Sequence, residues 1–313
     1  MYGSNRNIDK EFLIRYGMKR VIVSTICMML FLLASAVKPY CLIGESSKTV
    51  HQLTAEVTQL LMESDFEVLG LYHPNNDKNL CVVVFTCDEL SSMATSVTDK
   101  GAFGTTLKVG LIGRGDKTDV TFLNPHYLKH AYFGTNTNRD EVLKMTAITD
   151  SLVKEALRPL GNHPVYYGAD MEVDELKTYR FLPFLPKYHD VVVLNEYDDY
   201  DHAVDTIKDK LLQGRDHCEL VYELAFDDKE ISILGVAFYG ENNPDEEMLA
   251  FMGVDCVASM PIEILVQGDK AYMLDGRYRI PLFKSDLNRW KVFRLTGIAS
   301  DMKDCVKELI LAD

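Results

Sequence analysis

His126 and His130 stand four residues apart. On a helix they would share a face and offer two imidazoles to one metal ion. No third ligand is signalled nearby, so they read as surface histidines and no metal is assigned. His51 and His202, 151 residues apart, open two helical patterns and are taken as equivalent. Tyr127 and Tyr278 show the same spacing. These four are the candidate ligand-binding residues; the tyrosines would line paired pockets or the seam between two units, or pack in the core beneath the last helix. The acids of 196–201 offer carboxylates to calcium, but their spacing matches no calcium loop, and helix capping accounts for several. Arg114-Gly115-Asp116 spells an adhesion tripeptide, yet Gln267-Gly268-Asp269 stands in the matching place, so turn chemistry explains the Gly-Asp pair. No Gly-x-Ser-x-Gly elbow, Cys-His signature or phosphate loop is present. No catalytic residue and no cofactor are assigned.

The chain of 313 residues carries a net charge of −14 and only short basic clusters, which argues against nucleic acid as a partner. One cluster, Lys19-Arg20, precedes an apolar run from Val21 to Ala36 that ends in Ala34-Ser35-Ala36. A basic start, an apolar stretch and small residues at its end make a secretory signal peptide, with Met18 as an alternative start. The other reading is an uncleaved anchor, the only membrane contact expected. Cys27 lies inside this leader, leaving Cys41, Cys81, Cys87, Cys218, Cys256 and Cys305, read mostly as buried free thiols. The expected location is secreted or periplasmic.

Elements must hold the candidate residues, and the chain matches itself in order. Leu60-Leu61 meets Leu211-Leu212, Tyr127 meets Tyr278, and Val153-Lys154-Glu155 meets Val306-Lys307-Glu308. A nearly constant offset over ordered matches signals an internal repeat. The organisation expected is a leader (1–36), a first repeat domain (37–160), a linker (161–187) with a short helix near 174–176, and a second repeat domain (188–313). The fold class expected is α+β: two tandem β-α-β-β-β-β-α units, each a curved antiparallel sheet with two helices. Helices are expected over 49–62, 140–157, 201–212 and 300–311, the last capped by Ser300. Residues 290–295 read as an extra strand and 241–247 as a solvated acidic loop.

Asn124-Pro125-His126-Tyr127-Leu128 after the first hairpin, with this element order, resembles the domain-of-unknown-function 302 family, where an Asn-Pro-x-Tyr-Leu-like segment follows the hairpin. The second half has Asp275-Gly276-Arg277-Tyr278-Arg279 and keeps only the tyrosine; the family's segment after the central strand is not evident around Phe85 or Phe238. The resemblance implies a TATA-binding-protein-like fold and no established activity. The expectation for function is an exported, non-catalytic module binding a small molecule or an envelope protein in a groove between the units. The alternatives are an exported hydrolase-like enzyme assembled in space and a purely structural envelope component.

Overall fold

The hairpin turns are the surest local signals, and both form: Gly115 and Gly268 take φ of 73° and 58°, the left-handed region that favours glycine. The computed structural model describes residues 36–97, 100–133, 139–284 and 286–311. Residues 1–35, with nearly all of the expected leader, Cys27 and Met18, lie outside them. The account below concerns the unit Val37–Asp313.

Strand β1 (Tyr40–Ser46) leads to α1 (Val50–Met62). Thr49 caps α1 in a reciprocal box with Gln52, and Val50, Leu53, Val57 and Leu61 make its buried face. Then come β2 (Glu67–Tyr72), the wholly buried β3 (Leu80–Thr86), α2 (Asp88–Ser96), β4 (Leu107–Arg114), β5 (Lys117–Leu123), α3 (Pro125–Phe133) and α4 (Arg139–Leu157). Residues 161–187 add β6 (Val165–Tyr167) and α5 (Val173–Lys177). The second half runs β7 (Val192–Glu196), α6 (Tyr200–Leu212), β8 (Cys218–Phe226), β9 (Ile231–Phe238), α7 (Pro244–Met252), β10 (Ile262–Gln267), β11 (Lys270–Met273), α8 (Gly276–Phe283) and α9 (Val292–Leu311).

The fold is α+β. One antiparallel sheet has the order β2-β3-β4-β5-β1-β6, the other β8-β9-β10-β11-β7. Cys41 stands opposite Phe122 as Val192 stands opposite Met273. Val84 stands opposite Lys108 as Gly235 stands opposite Glu263. The ladder slips between Leu42 and Gly44 in the first sheet and between Val193 and Asn195 in the second.

Several expectations need correction. Among the described residues each half carries four α-helices of eight residues or more, not two. The additional ones, α2, α3, α7 and α8, have nine residues or fewer and stand on tertiary packing, with side-chain caps on α3, α7 and α8, more than on a long apolar stripe. Asn124 accepts from the His126 amide at 3.0 Å and Asp275 from the Arg277 amide at 2.8 Å, starting α3 and α8 alike. Residues 290–295 are no strand: a 3₁₀ turn, Arg289–Lys291, leads into α9, which begins at Val292 and leaves Ser300 in its interior. Leu295, Ile298, Met302, Val306 and Leu309 are buried at helical spacing, and that spacing outweighs the local alternation. Residues 241–247 are not a solvated loop. Asn243 caps α7, and Asp245 is wholly buried.

Buried side chains from both halves form one core cluster. The face of β4 meets the 3₁₀ turn Val254–Ser259 so closely that a Cβ on Gly110 would lie 2.7 Å from Val257 Cγ1. Residues 161–187 are packed too, with Leu176 and Tyr179 buried. Among the described residues no helix is long and apolar enough to cross a membrane.

Candidate functional site

Tyr127 and Tyr278 start from matching places on α3 and α8 and reach across the seam to each other's helix. Tyr127 donates to the Leu282 carbonyl at 2.5 Å, and Tyr278 donates to the Ala131 carbonyl at 3.1 Å. Ala131 and Leu282 are again 151 residues apart, so the contact is reciprocal. Both rings are fully buried, and burial drives the Tyr278 hydroxyl far above its ordinary pKa. These tyrosines build the seam, and they line neither of the two cavities described below.

The seam also holds charge. Lys108 on β4 and Glu263 on β10 occupy matching register positions and form a buried ion pair with each other. Burial lowers the Lys108 pKa, and Glu263 opposes that shift. Arg279 from α8 donates to the Pro261 carbonyl at 2.8 Å and lies 3.5 Å from Glu263. Tyr72 on β2 donates across the seam to Asp245, which also accepts from the Phe238 amide at 2.9 Å. Burial pushes the Asp245 carboxyl up to about 7, against those two donors. Buried side chains, Tyr127, Tyr278, Lys108, Glu263, Tyr72 and Asp245, thus fill this seam.

The histidine pair requires a correction. Thr49 caps α1 and Asp199 caps α6, and the buried faces 50, 53, 54, 57, 61 and 200, 203, 204, 207, 211 match at an offset of 150. His51 therefore corresponds to Asp201, and His202 to Gln52. One residue fewer separates strand from helix in the second half, which shifts the match. His202 is exposed, donates its amide to Asp199 at 2.8 Å, and has its ring 3.6 Å from Asp198.

His51 does reach a cavity. A cleft of about 790 Å³ opens between α1 and β2, lined by His51, Thr58 and Met62 on one wall and Leu71 and His73 on the other. Met62 and Leu71 are exposed apolar side chains. His73 Nδ1 lies 2.6 Å from the Leu80 carbonyl; a carbonyl only accepts, so Nδ1 carries the proton and Nε2 is left as an acceptor. The Thr58 hydroxyl is buried with no partner among the described residues. The matching wall of the second half is closed: Lys208, in the place of Thr58, pairs with Glu223, which matches Leu71 in the β8 register. Nothing in the sequence pointed to this cleft except His51. The available signal was Met62 and Leu71, apolar where the second half's own wall carries an ion pair.

No family model, curated protein or solved structure matches the chain.

The remaining chemistry is structural. The six described thiols are free, and burial raises all of them, Cys41 to about 12 and Cys256 to about 11. A thiol held in that range is a poor nucleophile at neutral pH. Arg114 of the adhesion-like tripeptide is bound by Asp119 at 2.5 Å and by Asp255. His126 faces Asp150 at 3.7 Å, and among the described residues no cluster of three or more acids, histidines or cysteines could hold a metal ion.

Proposed function

We propose that this chain is an exported, non-catalytic binding module whose two halves are diverged copies of one unit, and that it takes an apolar ligand in the α1–β2 cleft. The leader pattern in the sequence supports export. Matching strand order, matching ladder slips and the reciprocal tyrosine bonds support the paired units. The raised thiol pKa values favour binding over cysteine chemistry. The observation that carries the ligand reading is the cleft itself. It is of ligand size, has apolar walls, and is lined by the His73 imidazole and by Thr58, whose buried hydroxyl has no partner among the described residues. Such a lining suits an apolar body carrying one or two polar atoms.

Grafting the second half's closure tests it. Thr58→Lys with Leu71→Glu should bring a Lys-Glu pair into the cleft and weaken binding of an apolar fluorescent dye by about tenfold or more, read by titration of the full chain. An undiminished dye affinity in a variant of unchanged circular dichroism refutes the cleft as the site. Export is checked separately: mass spectrometry of the mature chain should find Val37 as its first residue.

A further inference from the structure

The outer edge of β1 is covered, and the matching edge of β7 is not covered by any described strand. In the first sheet β6 pairs antiparallel with β1, placing Tyr166 opposite Cys41 and Tyr167 opposite Tyr40. The second sheet ends at β7. Val193 is 51% exposed on this strand, which has no further described strand beside it and has α9 packed against it.

A small cavity of about 110 Å³ adjoins that edge, lined by Val192, Met273, Asp275, Arg277, Thr296 and Lys303. Its volume suits one side chain rather than a whole ligand. Five of these residues, all but Thr296, have a counterpart in the first half. Val192 and Met273 match Cys41 and Phe122 in the ladder. Asp275 and Arg277 match Asn124 and His126 in the helix cap. Lys303 stands three residues before the buried Val306, as Asp150 stands three before the buried Val153. In the first half Tyr166 occupies this neighbourhood. Lys154 lies 4.9 Å from its ring centroid, and Asp150 accepts from Lys154 at 2.7 Å.

We propose that the β7 edge is a strand-addition site for an extended segment of a partner protein, which pairs antiparallel with Val192–Leu194 and sets a tyrosine opposite Val192 into the adjoining cavity. Main-chain hydrogen bonds to the edge supply affinity, and the cavity supplies side-chain selectivity. The chemistry of the occupant is read from β6, the segment this fold itself places on the matching edge. Asp150 is replaced by Lys303 and His126 by Arg277, which Asp275, in the place of Asn124, binds at 2.6 Å, so the second lining keeps one cation beyond its acid where the first keeps an acid. It favours the electron-rich ring and hydroxyl of tyrosine over a basic side chain. The inference rests on the register match of the two sheets and is independent of the α1–β2 cleft.

The probe is a labelled peptide of residues 162–170 of this chain, titrated against the full chain by fluorescence anisotropy. Binding should be saturable and should slow hydrogen exchange at Val192–Leu194. Replacing the tyrosine that corresponds to Tyr166 by alanine in the peptide should weaken binding by about tenfold or more. Thr296→Trp, a change at an exposed lining position, should do the same with the fold intact. Three results would overturn the proposal: no binding, binding without protection of Val192–Leu194, or affinity indifferent to both changes. A dimer that protects these amides without peptide would also overturn it, by assigning the edge to a second copy.

Discussion

The α1–β2 wall of the first half and the α6–β8 wall of the second occupy matching places in two sheets of the same strand order, yet one is an open apolar cleft and the other is closed by Lys208 and Glu223. Their outer edges differ in the opposite sense, β1 paired with β6 and β7 with no further described strand. The backbone plan therefore specifies neither opening. A few side chains and one short strand decide which half presents which surface, while the buried seam stays nearly symmetric.

The largest effect expected on this comparison comes from the seam. Glu263→Leu leaves Lys108 buried without its partner and should cost about 3–5 kcal/mol in chemical denaturation, while Lys108→Met with Glu263→Leu should recover most of the loss. Equal instability of single and double variants would mean that packing, not charge pairing, holds the seam. Next come the tyrosines. Tyr127→Phe and Tyr278→Phe each leave a buried carbonyl unpaired and should each cost about 1–3 kcal/mol. Unequal losses would break the reciprocity read from their two bonds.

A further contrast separates the halves by pH. Asp245 is buried on α7, whereas Glu89, near the start of α2, is exposed. The Asp245 pKa is raised, from 3.8 to about 7, so the folded chain keeps a proton that the unfolded chain releases near pH 4. The stability from this group is full below about pH 4 and is lost as pH rises through about 7. Asp245→Asn should flatten the fall in melting temperature between pH 4 and 8, and a slope identical to that of the parent chain would exclude Asp245 as its source.

Turn glycines, capping residues and the long amphipathic helices α1, α4 and α6 were legible in the sequence because each signal is local. The spacing of Tyr127 and Tyr278 paired them but left pocket, seam and core open as their place. The short helices were not, since Asp88–Ser96 forms on packing, and Pro244–Met252 on packing and a cap, more than on a long periodic face. Trp290 and Phe293 suggested a strand by alternating with basic residues, but both are nearly 90% exposed at the start of α9. His51 and His202 were paired by a constant offset that the loop before α6 shortens by one residue. Neither opening was legible, because Met62 meets Leu71, and Val192 meets Lys303, only after the chain has folded.

Lys108 and Glu263 have one further consequence. Because they occupy corresponding rungs of their sheets and meet each other, a half associating with its own kind would set ammonium against ammonium, or carboxylate against carboxylate, in a dry interior. The seam thus enforces mating of unlike halves. Were the gene cut between α5 and β7, the fragments would be expected to reunite as a heterodimer and to shun self-pairing.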